Sequence, residues 1–348
     1  MTTAVSASRP SLSGTSRRSL LAGALLTLGA GALSACSSGT ASRAASASGT
    51  GQGLTIGLTY TPNIQFAPFY LAKDKGHYAS GVALRHHGAQ EGLFDALATG
   101  AEHMVIAGAD EAAVAASNGS ELVIIAGFYQ QYPVRIIVPE SSPITAPADL
   151  KGRSVGLPGR MGENWYGLQL AMAGAGLSEA DLTIQEVGFT QQSALVTGAV
   201  DAVIGFSNND AVQIAQSGTP VRTIAVADDV PLIGASLVTT RSVLGARRQE
   251  LTEAVAASIK GMTAFADDPD SAVESTKAHV PDLVDATQAA NAREVAVATG
   301  TLIRPEADSV VGALAVDQVT RMLDFLAERG LMGGAAVSAD ALADPLSA

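Results

Sequence analysis

Seven short segments hold most of the side chains that could recognise a small molecule. They are Tyr60-Thr61-Pro62-Asn63-Ile64-Gln65-Phe66, the stretch with Gln90-Glu91, Gly108–Glu111, Phe128–Tyr132, Gly159–Tyr166, Thr190–Gln192 and Phe206–Asp210. Asn, Gln, Thr and Tyr donate and accept hydrogen bonds without bringing a full charge. Aromatic rings beside them suit a planar heterocycle with polar edges. Of the 15 aromatic residues, 13 fall between Tyr60 and Phe206, so ring contacts belong to this part of the chain. Phe94 and Phe189 are expected in the core. The candidate ligand contacts are Tyr60, Thr61, Asn63 and Phe66 in the first segment, and Gln90 and Glu91 in the second. Asp110, Glu111, Tyr129 and Gln130 follow, then Glu163, Trp165, Tyr166, Gln191, Phe206, Asn208 and Asn209. For Asp110, Glu111 and Glu163, first-turn helix positions serve as well as ligand contact. The glycines of 156–162 could offer backbone N–H groups to an anion or form a tight strand-to-helix turn. Arg160 is the one cation in the strand-end loops, which disfavours sulfonate and phosphate ligands.

The same residues lack the groupings that catalysis requires. His86 and His87 are adjacent on a strand end, so their side chains should diverge, and His77, His103 and His279 have no ligand-like spacing. All five read as solvated or core histidines. Ser207 lacks a G-x-S-x-G setting, and no glycine-rich loop matches a phosphate-binding motif. The expectation is a binding protein rather than an enzyme, with no catalytic residue, no metal and no cofactor.

These segments must be held by the elements between them. Apolar runs at 54–58, 82–85, 104–107 and 122–127 alternate with helical stretches at 67–77, 93–99 and 111–117. A second series has strands at 135–138, 154–157, 183–187, 202–204, 221–226 and 236–239, and helices at 166–173 and 193–197. Helices then dominate, with 247–265 the longest amphipathic stretch and others starting at Asp270, Ala286 and Asp317. Such alternation predicts an α/β fold of two lobes, each a mainly parallel sheet flanked by helices, with ligand held between them outside the carboxyl ends of the strands. Residues 54–133 and 229–348 form the expected first lobe, and 134–228 the second.

Residues 1–35 read as an export signal: Arg17-Arg18 precede an uncharged Ala/Leu/Gly run too short and glycine-rich to span a membrane. The twin arginines resemble a Tat signal, while Sec export also accommodates them. The run ends in Leu33-Ser34-Ala35-Cys36, which resembles a bacterial lipobox, so Cys36, the only cysteine, is the expected lipidation site. Residues 36–53 read as a flexible Ser/Ala/Gly tether. With the three arginines of the signal set aside, net charge moves from −12 to −15, and no basic run remains. That balance argues against a nucleic-acid partner.

The run Tyr60-Thr61-Pro62-Asn63, followed by Ala67-Pro68-Phe69-Tyr70, Ala72, Lys75-Gly76 and Tyr78, resembles the opening of the thiamine-pyrimidine/taurine-like family of periplasmic binding proteins (type 2). Arg85–Glu91, Tyr129–Pro133 and Gly205–Asp210 are most similar to the riboflavin-binding lipoproteins of bacterial riboflavin importers. Ala148–Gly156 resembles a recurrent entry to the second lobe. The resemblance implies lobes that close on ligand by a hinge. It further implies an exported monomer, lipid-anchored to the outer face of the bacterial cytoplasmic membrane through that anchor alone. Such a protein hands a small aromatic solute, riboflavin or a thiamine-pyrimidine precursor, to the permease subunits of an ABC importer. A synthase of the same family uses a lysine-bound pyridoxal phosphate and a His/Cys-rich metal site. Here only five lysines and one cysteine follow the signal. An exported enzyme or a sensor domain on the same fold is the alternative.

Overall fold

Short β-branched and leucine-rich runs give ten strands among the residues described by the computed structural model, 53–88 and 91–346. Cys36, the signal, the tether up to residue 52 and Gln90 lie outside the described residues. The first series comprises β1 (Thr55–Leu58), α1 (Ala67–Asp74), β2 (Ala83–His86), α2 (Asp95–Ala98), β3 (Met104–Gly108), α3 (Ala109–Ser117) and β4 (Leu122–Gly127). The second comprises β5 (Val134–Pro139), β6 (Ser154–Leu157), α4 (Gly162–Ala175), β7 (Thr183–Glu186), α5 (Gln191–Val196), β8 (Ala202–Phe206), α6 (Asp210–Gln216) and β9 (Val221–Ala225). After β10 (Ala235–Thr240) come α7 (Arg241–Asp267), α8 (Pro269–Lys277), α9 (Ala286–Ile303), α10 (Val316–Glu328) and α11 (Ala339–Leu342).

The strands form two sheets, in the orders β2-β1-β3-β10-β4 and β7-β6-β8-β5-β9. β1 pairs in parallel with β2 and β3, and β6 with β7 and β8. β10 runs antiparallel between β3 and β4, and β5 antiparallel between β8 and β9. Four of the five strands in each sheet therefore share a direction, and the molecule is a two-lobe α/β fold. β3 and β4 are buried along their whole length, as strands covered on both faces must be. The free edge of β4 is covered by the segment near Ala343, whose neighbours Asp344 and Leu346 donate N–H bonds to Ile124 (3.0 Å) and Ile125 (2.8 Å).

Two differences from the sequence reading have local causes. The long amphipathic helix begins six residues early, at Arg241, but its backbone breaks at Arg247 (φ −134°, ψ 28°), where the amphipathic stretch was expected to begin. α6 and α11 stand where the sequence reading places no helix, because each buries only one or two side chains and shows no clear apolar stripe.

Candidate functional site

The chain passes between the sheets twice, through residues 128–133 and 226–234, and the first turns of α3 and α4 face each other beside both passages. Gly108 is the N-cap of α3, and its N–H donates to Glu111 Oε2 at 3.2 Å. The Glu111 N–H donates to Asp110 Oδ1 at 2.8 Å. A Cβ on Gly108 would lie 2.5 Å from Asp110 Oδ1 and 3.0 Å from both Glu111 Oε2 and Glu163 Oε1. Three carboxyl groups, one of them from the opposite lobe, thus converge over this glycine. The contact is reciprocal: a Cβ on Gly162, which opens α4 at φ +70°, would lie 2.9 Å from Glu111 Oε1. Each lobe needs a residue without a side chain where the other lobe's carboxyl group arrives.

Asp110 is fully buried and Glu163 is 9% exposed. Burial, then the neighbouring carboxylates, pushes both well above the ordinary range, and burial pushes Glu111 up to about 7. A helix N-terminus favours the ionised form by about 0.3–2 kcal/mol, and here burial outweighs it. The Tyr132 hydroxyl lies 2.8 Å from Asp110 Oδ2 and 3.0 Å from the Glu163 carbonyl oxygen. It has one proton for two acceptors. Both contacts are hydrogen bonds only when a protonated Asp110 donates to Tyr132 and Tyr132 donates to Glu163. Burial also drives the Tyr129, Tyr132 and Tyr166 hydroxyls upward, so all three stay neutral.

A second polar group adjoins the first. Asn208 Nδ2 donates to the Tyr129 hydroxyl at 3.3 Å and to Thr299 Oγ1 at 2.9 Å, joining the loop after β8 to α9. Tyr129 also feels the charge of Glu163. Gln216 ties α6 to α9 through the Asn291 carbonyl at 3.0 Å. The cavity beside the passages, lined by Tyr129, Gln131, Tyr132, Ile233 and Ala313, is about 80 Å³. Ligand pockets usually hold roughly 300–1,000 Å³. A surface groove of about 350 Å³ between α8 and α9 contains none of the strand-end residues.

Asp110, Glu111, Glu163, Tyr129, Tyr166 and Asn208 are brought together. Gln191 is buried at the start of α5, and Phe206 is half-buried, its N–H bonded to Asp210 at 2.7 Å. Other candidates are committed locally. Tyr60 is 46% exposed and its carbonyl lies 2.9 Å from His86 Nδ1. Asn63 caps the following turn through Gln65 N–H at 2.9 Å and donates to the Thr61 carbonyl at 3.0 Å. Phe66 meets His86 edge-on at 5.4 Å. Glu91 pairs with Arg85 at 2.7 Å, Gln130 donates to the Ala313 carbonyl at 3.2 Å, and Asn209 accepts from Gln213 at 2.6 Å. Trp165 is 7% exposed within the core, with the Arg160 guanidinium 5.1 Å from its ring. Arg160 itself pairs with Glu179 and, at 3.1 Å, with Glu186.

The structure corrects the placement of Phe189, which is 82% exposed instead of buried: Gly188 (φ +60°) turns the chain outward after the edge strand β7. His86 and His87 diverge, the first to the Tyr70 hydroxyl (2.8 Å), the second to the buried Glu102 (2.9 Å). Among the described residues no group of three His, Cys, Asp or Glu side chains is arranged to hold a metal ion. No described helix is long and apolar enough to cross a membrane. Sequence reasoning missed Tyr132, although it sits in a strand-end loop, and Thr299, whose place inside α9 gives no signal.

The comparisons with known proteins agree with this architecture. A family profile described as NMT1/THI5 like matches residues 63–272. The riboflavin-binding protein RibY of Chloroflexus aurantiacus is 30% identical over 244 residues, 69% of this chain and 70% of that protein. The periplasmic aliphatic sulphonate binding protein SsuA of Escherichia coli superposes with a TM-score of 0.64 at 19% identity, over 81% of this chain and 89% of its own. The desulfurization enzyme DSZB superposes with a TM-score of 0.55 at 19% identity, over 84% of this chain and 96% of its own.

Proposed function

The chain belongs to the NMT1/THI5-like family, and from that membership we propose that it is the solute-binding protein of an ABC-type importer, with riboflavin as its ligand. The geometry that carries this reading is the interlobe seam. Tyrosines, amides and three carboxyl groups meet there, and Arg160, the cation of the strand-end loops, is bound elsewhere. A sulfonate would find the first-turn N–H groups of Gly108 and Glu111 already accepted by carboxylates. A neutral ring with hydrogen-bonding edges meets no such conflict. The lobes part about the two passages to admit it, since the cavity between them is too small for a heterocycle.

Calorimetric titration of the purified protein with riboflavin is the test. Saturable one-to-one binding is expected, and the flavin should be recovered unchanged. Tight binding of an alkanesulfonate with none of flavins or pyrimidines would overturn the ligand class. Conversion of the bound compound would instead favour an enzyme, a reading the desulfurization enzyme of the same fold keeps open.

Lipid anchoring at Cys36 completes the proposal, because a tethered binding protein stays beside its permease. Cys36→Ala removes the acceptor thiol. The variant is expected to lose the acyl modification and leave the membrane fraction, and a diacylglycerol-modified peptide found elsewhere in the chain would refute the assignment.

A further inference from the structure

Among the described residues, three buried side-chain oxygens have no hydrogen-bonding partner: Glu163 Oε1, Asn164 Oδ1 and Asn208 Oδ1. All three belong to strand-end positions of the second lobe, two in the first turn of α4 and one after β8. A carboxamide can be turned end for end, so either asparagine serves a donor or an acceptor equally well. A carboxylate cannot. Once ionised it only accepts, so a donor edge of the ligand calls for the ionised form of Glu163.

No donor of its surroundings is hydrogen-bonded to Oε1. The Tyr132 hydroxyl is engaged by Asp110 and the Glu163 backbone carbonyl. Asp110 Oδ1 and Glu111 Oε2 already accept backbone N–H groups, and Arg160 faces Glu179 and Glu186. Yet Oε1 crosses from the second lobe to lie over Gly108 of the first, on the line where a bound ring would be clasped. A buried acceptor without a partner is costly unless a ligand completes it.

We infer that Glu163 is the specificity-determining residue of the cleft: its Oε1 accepts a hydrogen bond from a ring or exocyclic N–H of the ligand, so heterocycles with a donor edge are chosen over those with acceptor-only or anionic edges. The inference deepens the proposed function and rests on it. A linked proton follows. Glu163 shares its site with Asp110 and Glu111 of α3, and Tyr129, Tyr132 and Tyr166 face the same cluster. Burial and like charge raise Asp110 and Glu163, and burial raises Glu111 to about 7, which favours the protonated forms. A donor N–H favours the ionised carboxylate, so binding releases protons, and the release fades as pH rises past the titration of the cluster.

Calorimetry with riboflavin, which carries a ring N–H at position 3, and with its N3-methyl derivative separates the possibilities. One bond to a charged acceptor predicts a preference of about ten- to a hundred-fold for riboflavin in the wild type. The binding enthalpy should also vary with the ionisation enthalpy of the buffer. Glu163→Met keeps the side-chain length without an acceptor and should bind the two flavins within about three-fold of each other. Glu163→Gln, a mimic of the protonated acid, should lose most of the buffer dependence while remaining folded. Riboflavin binding without discrimination, or discrimination that survives Glu163→Met, overturns the inference and leaves the proposed function standing. The same measurements with 4-amino-2-methylpyrimidine and its N,N-dimethyl derivative cover the pyrimidine half of the ligand class. If none of the four compounds binds the wild type, the proposed function falls, and the inference falls with it.

Discussion

Trp165→Ala is expected to lower the free energy of unfolding by about 3–5 kcal/mol, the usual cost of emptying a large buried aromatic position. The indole is 7% exposed and belongs to the core cluster that includes Tyr132, Val134, Tyr166 and Leu168. The Arg160 guanidinium, 5.1 Å from the ring, contributes about 0.5 kcal/mol of that loss, because it is itself well exposed. For a chain of this size the melting temperature should fall by roughly 5–8 °C. Circular dichroism is the appropriate probe, because Trp165 is the only tryptophan and the variant loses its fluorescence. A loss below about 1 kcal/mol would remove the ring from the core and favour a stacking contact with ligand. Trp165→Phe separates the two roles. It keeps most of the packing, so a large drop in ligand affinity in that variant would identify the indole as a ligand contact.

Glu111→Gln should flatten the dependence of stability on pH by about 2–3 kcal/mol between pH 4.5 and 8. In the folded protein burial moves the Glu111 carboxyl from its ordinary 4.5 up to about 7. Below 4.5 folded and unfolded chains both hold the proton, and its stabilisation is complete. Between 4.5 and 7 the unfolded chain releases the proton and the folded one retains it, so stability falls as pH rises. Above 7 the contribution is spent. His86, His103 and His279 act in the opposite sense, since burial lowers each of them and acid below about 6.5 favours the unfolded chain. The difference between wild type and variant cancels those terms. Chemical denaturation at several pH values gives it directly, and parallel curves for the two proteins would show that the carboxyl cluster is not buried as described.

The architecture was legible in sequence because buried strands announce themselves as short apolar runs, and amphipathic helices separate them. Direction was less legible. Nothing within Val134–Pro139 or Ala235–Thr240 says that each strand will insert antiparallel between two others, because that choice is made by partners distant in sequence. The site was legible as a set of loops, since the carboxyl ends of parallel strands must deliver their loops to one side. Its internal bonding was not. Asp110 and Glu111 read equally well as first-turn residues and as ligand contacts, and the structure places them in the first turn of α3, beside the opposite lobe. Thr299 could not be found at all, because a threonine inside a helix is recognisable only by what Asn208 brings to it.

The insertion of β10 between β3 and β4 also sets a timetable. A ribosome delivers β4 before any residue of the second sheet, yet its partner begins at Ala235, after that sheet has ended at Ala225. The far edge of β4 waits longer still, for the residues around Ala343. The second sheet is continuous in sequence, whereas the first must hold the run Leu122–Gly127 unpaired on both sides until the rest arrives. Long-range closure of that kind slows folding, and a bare apolar strand is a template for association with other chains. The half of the molecule that is made first is therefore the half that finishes last, and its interval of exposure is when a nascent chain most needs a holdase.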